Sequence, residues 1–414
     1  MSRLRIRPAV AVGALVGRLL ALAPGMLPQS ALIATVAGVV LTLAGMGVGA
    51  LVGQAVDRYR NRAAPAVSGA WLGAGLLVSS AVLGFAVRHE LSVRAAVGAP
   101  PVGTGWVLAV GLIPIVAALA VVVVPARIWV GGSLASLVAV TALHLPAPAQ
   151  ASGPDVPDSR AMIYGPLTES GTFDQRADRL TARWSADGGL DQRAVVIAVP
   201  TGSGWVDAGA VDGFVRHFDG SVRVLALQYD DVASWRAFVS SPDHAGDSAT
   251  ALLASVERRL ATVPPDRRPR VYLAGQSLGA VGADAARRWA NASGVDLAGT
   301  VLAGPPAGTV EDVRSCERRV VLANADDPVP AFRPALLWRP VTRIAGDDGD
   351  RQRADALPWL PVASMVGTVL DLAGSLKVPT GHGHRYGVEQ GLAVASMPSG
   401  CAGPAQPMGP RAAS

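Results

Sequence analysis

One serine stands out by its setting. Val271-Tyr272-Leu273-Ala274 is a short apolar run of strand type that meets Gly275-Gln276-Ser277-Leu278-Gly279, and a helix-compatible run follows over 281–290. Strand, sharp turn and helix in that order make a nucleophile elbow, with Ser277 at the tip of a strained turn. Gly275 and Gly279 leave room for the chain to double back. The helix N-terminus then points at the place where a tetrahedral oxyanion would form, so the Leu278 N–H is the expected first oxyanion donor. Gly-x-Ser-x-Gly alone is a weak signal in a chain with 47 glycines, so the strand before it and the helix after it carry the assignment.

A serine nucleophile needs a base to take its proton and an acid to orient that base. Gly381-His382-Gly383-His384-Arg385-Tyr386 supplies two imidazoles near the C-terminal end. His382, set between glycines, is the expected base, and His384 is the alternative. A strand expected over 319–323 runs into Asn324-Ala325-Asp326-Asp327-Pro328, where Asp327 is the expected acid, with Asp326 and Glu311 in reserve. The order Ser, Asp, His along the chain fits an elbow nucleophile. Pro200-Thr201-Gly202-Ser203-Gly204-Trp205, after another strand, is expected to give the second oxyanion N–H from Thr201 or Gly202. No Walker lysine and no Gly-x-Gly-x-x-Gly follow that strand, and His-x-His has no third ligand cluster nearby. No metal and no organic cofactor are called for.

The elements that position these residues alternate. Strands are expected over 161–164, 194–199, 222–229, 271–274, 299–303 and 319–323, with helices over 173–183, 248–261, 281–290 and 388–395. That rhythm implies a mostly parallel sheet with helices on both faces and catalytic loops at the C-terminal ends of the strands.

The first 145 residues differ in kind. The chain is 50% hydrophobic and 16% charged, with a mean hydropathy of +0.36, and the apolar excess sits before residue 145. Nearly all the acids lie after it. Residues 31–53 are uncharged and long enough to cross a bilayer; 68–87, 104–124 and 128–145 are three further spans, and 9–23 is a shorter first one. Arg18, inside that first run, is expected to snorkel to the cytoplasmic face, with binding of a lipid head group as the alternative. The basic stretch Asp57-Arg58-Tyr59-Arg60-Asn61-Arg62, Arg127 and the arginine-rich N-terminus are expected on the cytoplasmic side, which puts the second half outside. The organisation read is a helical membrane domain of four to five spans (1–145), a linker (146–160), an α/β catalytic domain (161–398) and a tail (399–414). The net charge of +5 comes without a basic stripe interleaved with aromatics, so a membrane surface, not nucleic acid, is its expected partner. Cys316 and Cys401, the only cysteines, are expected to form a disulfide in an oxidising compartment.

The second half resembles an α/β-hydrolase, and the whole chain resembles the actinobacterial membrane-anchored α/β-hydrolase family with a hydrophobic multi-span N-terminal domain. The matching stretches are 24–28 ahead of the long second span, 199–206, Gln228-Tyr229 with Ser234-Trp235, 275–279, 304–306, Asp327-Pro328-Val329 and 381–387. Gln276 departs from the pattern, in which many relatives carry Glu, and Asp230-Asp231 replaces a less charged pair. The expected activity is a membrane-anchored serine hydrolase on ester substrates, lipids or acylated envelope components. The rivals are an acyltransferase using the same triad, an idle scaffold or receptor that kept the fold, and a transporter, which the lack of intramembrane acid pairs disfavours.

Overall fold

The computed structural model describes residues 6–61, 65–123, 160–311, 316–340, 358–398 and 400. The span expected over 128–145, the linker and most of the tail lie outside them. The chain divides into two compact units. One comprises Ala151–Ala325, Ile344–Asp348 and Tyr386–Ser414; the other comprises Met1–Gln150, Asp326–Arg343 and Gly349–Arg385.

The first of these units is built on six strands: β1 (Met162–Gly165), β2 (Ala194–Val199), β3 (Val222–Leu227), β4 (Arg270–Gln276), β5 (Gly299–Ala303) and β6 (Arg319–Leu322). They form one sheet in the order β1-β3-β2-β4-β5-β6, and every pairing is parallel. Such strands are buried on both faces and read as continuous apolar runs, which is what β2 shows. Val195, Ile197 and Val199 pack in one core cluster with Leu180, Leu252 and Ala283. Ala194, Val196 and Ala198 pack in a second with Val211, Phe214 and Val394. Those partners assign the helices. Phe173–Ala186, His244–Leu260 and Leu278–Ser293 cover one face; Ala208–His217 and the C-terminal turns from Glu389–Leu392 cover the other. The long helix expected to begin at Ser248 starts four residues earlier, because Ala245 and Ala249 continue its buried stripe.

An ion cluster pins the far edge of the sheet. Asp284 of the helix after β4 is wholly buried and accepts from Arg287 at 2.8 Å, Arg288 at 2.9 Å and Arg319 of β6 at 3.1 Å. Arg287 also reaches Glu317 and Glu311; burial lowers its guanidinium, but the hydrogen bonds to Asp284 and Glu311 and the charge of Glu317 outweigh that and hold it above its ordinary range. Glu311, a reserve acid for the triad, is therefore a salt-bridge partner of Arg287. Asp284→Ala would leave two buried guanidinium groups without their shared carboxylate, and a loss of about 3–5 kcal/mol is expected in urea unfolding.

The second unit begins with four helices: α1 (Pro8–Ala21), α2 (Ala31–Arg60), α3 (Gly69–Ala96) and α4 (Thr104–Val123). The last three are long and apolar enough to cross a membrane. At 14 residues α1 spans only about 21 Å, short of a bilayer's roughly 30 Å hydrocarbon core. It packs instead along α2 with backbones in contact. A Cβ on Gly13 would stand 2.1 Å from the Gly45 carbonyl oxygen, so both positions need glycine. Arg18 does not snorkel: it is only 4% exposed, enclosed between helices.

The same unit contains a short apolar helix that periodicity did not single out, Ala363–Gly374. Its lone acid, Asp371, is buried and accepts from the backbone N–H of Met26 at 2.8 Å and of Leu27 at 3.2 Å. Those residues connect α1 to α2. The connector is held from α3 and α4 as well, since His89 meets the Gly25 carbonyl, Glu90 accepts from Gln29 N–H, and Arg94 and Trp106 donate to the Gln29 carbonyl. Residues 25–29 are thus a hub where helices from both ends of the chain are tied.

Candidate active site

β4 ends at Gln276, and the next helix begins at Leu278, leaving Ser277 alone between them at φ 56°, ψ −122°. A non-glycine residue at positive φ is strained and persists only where its surroundings impose it. Here they do. The Ser277 N–H donates to the Ala303 carbonyl at the end of β5, and the Ala280 N–H donates to the Ser277 carbonyl. The two glycines are required by close approach: a Cβ on Gly275 would stand 2.1 Å from the Gly279 oxygen, and one on Gly279 2.2 Å from the Val199 oxygen. The elbow read from the residues is the elbow formed.

The loop after β2 closes into a tight turn. Thr201 N–H donates to the Trp205 carbonyl and Gly204 N–H to the Thr201 carbonyl, both at 2.9 Å. The Tyr164 hydroxyl fixes the Gly204 carbonyl at 2.7 Å. Of the two residues expected to offer an oxyanion donor, Thr201 has its N–H committed within the turn. A Cβ on Gly202 would meet Ala237 at 2.7 Å, so the loop rests against the helix Ser234–Ser240. Beneath it the buried Arg176 guanidinium donates to the carbonyls of Gly165, Pro166 and Gln228 and ties together the ends of β1 and β3.

Behind the elbow lies a polar chain that the residue pattern did not reveal. Gln390 donates to the Asp207 carboxylate at 2.8 Å and reaches Gln276, next to Ser277, at 3.4 Å. Asp207, Gln276, Gln390 and Thr201 line, with apolar neighbours, a cavity with room for about one water. Burial raises the Asp207 carboxyl above its ordinary range, against the hydrogen bonds from Gly209 and Gln390 that favour the charged form. The folded state therefore binds its proton more tightly than the unfolded chain does. That contribution is full at low pH and is lost as pH rises from the ordinary carboxylate range through the raised value. In urea titrations, wild type should lose stability relative to Asp207→Asn across that interval, and parallel pH curves would contradict it. Gln276 fits this setting, since a carboxylate there would face the buried Asp207.

The acids and histidines expected to serve Ser277 belong to the other compact unit. They form two parallel pairs. His384 Nδ1 lies 2.8 Å from Asp327 Oδ2, and His382 Nδ1 lies 2.8 Å from Asp326 Oδ2. The favoured combination of Asp327 with His382 is not a hydrogen-bonded pair, because each histidine takes a different acid. Asp327 is further held by the Val329 N–H and Asp326 by the Gly383 N–H. The side chains of His384 and Asp327 are 8% and 0% exposed, those of His382 and Asp326 36% and 14%. Positive φ at Gly381 and Gly383 folds a turn about His382 and leaves His384 inside, its N–H on the Ser375 carbonyl. The glycines that singled out His382 serve the turn. Cys316 is disulfide-bonded, and Cys401, the chain's other cysteine, lies outside the described residues.

Residues 161–319 and 309–399 match the alpha/beta-hydrolase family, together more than half of the chain. The chain belongs to the alpha/beta-hydrolase family. No curated protein and no solved structure gives a match. In this alpha/beta-hydrolase the parallel sheet, the elbow after its central β4 and the three long apolar helices ahead of the domain agree with the fold expected from the residues. Among the described residues no group of three or more His, Cys, Asp or Glu could hold a metal ion.

Proposed function

We propose that this alpha/beta-hydrolase is a membrane-anchored serine hydrolase of ester bonds, its catalytic residues facing away from the cytoplasm. The observation that carries the reading is Ser277, the one residue between β4 and the following helix, at φ 56°. Strain of that kind is costly and is characteristic of nucleophiles held at the tip of an elbow.

His384 is the base in this reading. A carboxylate only accepts hydrogen bonds, so with Asp327 on Nδ1 the ring proton sits on Nδ1 and Nε2 keeps the lone pair that general-base work requires. His384 takes the Ser277 hydroxyl proton as Oγ attacks the ester carbonyl; the proton then passes to the leaving alcohol, and water releases the acyl-enzyme by the same steps. The N–H groups of Leu278 and Gly202 hold the oxyanion, Gly202 being preferred because Thr201 spends its N–H on Trp205. Substitution of another hydroxyl for water would make the enzyme an acyltransferase. Membrane lipids or acylated envelope esters are the substrates the three long apolar helices favour, by proximity.

The test is a membrane-impermeant fluorophosphonate on intact cells and on lysates, with the adduct mapped by peptide mass. An adduct on Ser277 in intact cells supports both chemistry and orientation. An adduct found only after lysis keeps the chemistry and reverses the orientation, and its absence from both leaves the idle-scaffold reading.

A further inference from the structure

Arg18 is a buried cation without a counter-charge among the described residues. It is 4% exposed in α1, and its Nε and Nη1 are buried with no hydrogen-bond partner among the described residues. The first 150 residues hold only two acids, Asp57 and Glu90. Asp57 pairs with Arg7, and Glu90 with Arg94 and the Gln29 N–H. A charge removed from water is very costly unless it is paired, so Arg18 calls for an anion that the helices do not supply.

The facing helix is prepared for one. Thr35, Gly38 and Thr42 recur at helical spacing along α2, and all three are buried. A Cβ on Gly38 would stand 2.7 Å from Pro114 of α4 and 3.3 Å from Arg18 Nη1, so glycine lets α4 pack on this face with the guanidinium against it. The hydroxyls of Thr35 and Thr42 are also buried without partners among the described residues. A helical threonine commonly satisfies itself on the carbonyl one turn back, as Thr181 and Thr368 do here on Ala177 and Ser364. Thr35 and Thr42 leave that option unused. Unspent guanidinium donors and two unspent hydroxyls on one helical face have the donor character of an anion site.

From this cluster we infer that Arg18, Thr35 and Thr42 bind the anionic group of a membrane amphiphile, a lipid phosphate or a fatty carboxylate. Arg18 lies in the last turn of α1 and meets α2 at Gly38, about 10 Å along that helix from its first residue. The inference does not depend on the hydrolase chemistry, because none of its residues belongs to the triad.

Full-length protein reconstituted in nanodiscs of equal phosphatidylglycerol and phosphatidylcholine, then examined by native mass spectrometry, tests it. Wild type should retain phosphatidylglycerol at least tenfold over phosphatidylcholine, and Arg18→Gln should lose that preference. Oleate added as competitor separates the sources: displacement of phosphatidylglycerol indicates a site that takes carboxylate, and persistence indicates phosphate. Thr35→Val and Thr42→Val, which keep the charge and nearly the shape, should each weaken retention severalfold. Thermal shift covers the case in which a variant fails to fold. Arg18→Met should match or exceed wild type in neutral detergent and lose the stabilisation that phosphatidylglycerol gives wild type. Equal retention by wild type and Arg18→Gln would overturn the inference, as would a loss of stability in Arg18→Met that is independent of lipid.

Discussion

Ser277→Ala and His384→Ala should each lower kcat on a short-chain ester by on the order of 10⁴-fold or more, while His382→Ala stays within about tenfold of wild type. The two histidines are two residues apart, and each has a carboxylate at 2.8 Å, so hydrogen bonding alone does not rank them. Burial does. In the dry setting of His384 and Asp327 an imidazolium is stabilised most strongly by its acid, because the local dielectric is low. The half-open pair of His382 and Asp326 is screened by solvent and acts as a brace for the turn, Asp326 holding the Gly383 N–H as well. Asp327→Asn should cost about as much as losing the histidine, since an amide cannot fix the same tautomer. Steady-state kinetics on detergent-purified full-length protein reads all four variants. Comparable losses in His382→Ala and His384→Ala would refute this ranking.

Deleting residues 1–150 should abolish ester turnover while leaving the β-sheet unit folded by circular dichroism. The reason lies in the compact units. The acids and histidines belong with the N-terminal helices, whereas Ser277 belongs with the sheet. The turn that carries His384 is packed on the α1–α2 connector, for a Cβ on Gly383 would meet Leu27 at 3.2 Å and the Ser375 oxygen at 2.6 Å. Asp371 grips the same connector through two backbone N–H groups. Asp371→Ala in the full chain would strand both donors, at about 1–3 kcal/mol each, and kcat should fall with the stability of that unit. A truncated chain with wild-type turnover would show that the N-terminal helices serve as an anchor alone.

The residues by themselves determined a good deal. β2 and β5 stand where their apolar runs stand, because a strand buried on both faces leaves no polar position to blur its ends. The elbow was legible for a similar reason: Gly275 and Gly279 are the only residues its backbone crowding allows. Three long apolar helices followed from length and composition. What only the tertiary structure decided was partnership. Two acids and two histidines in tandem allow more than one pairing, and chain order cannot choose among them; burial and the positive-φ glycines about His382 do. Asp371, Asp207 and Gln390 each carry a local pattern compatible with a solvated side chain. Each acquires its role from a group far away in sequence, 345 residues away for Asp371 and Met26, and no local periodicity encodes a contact of that range.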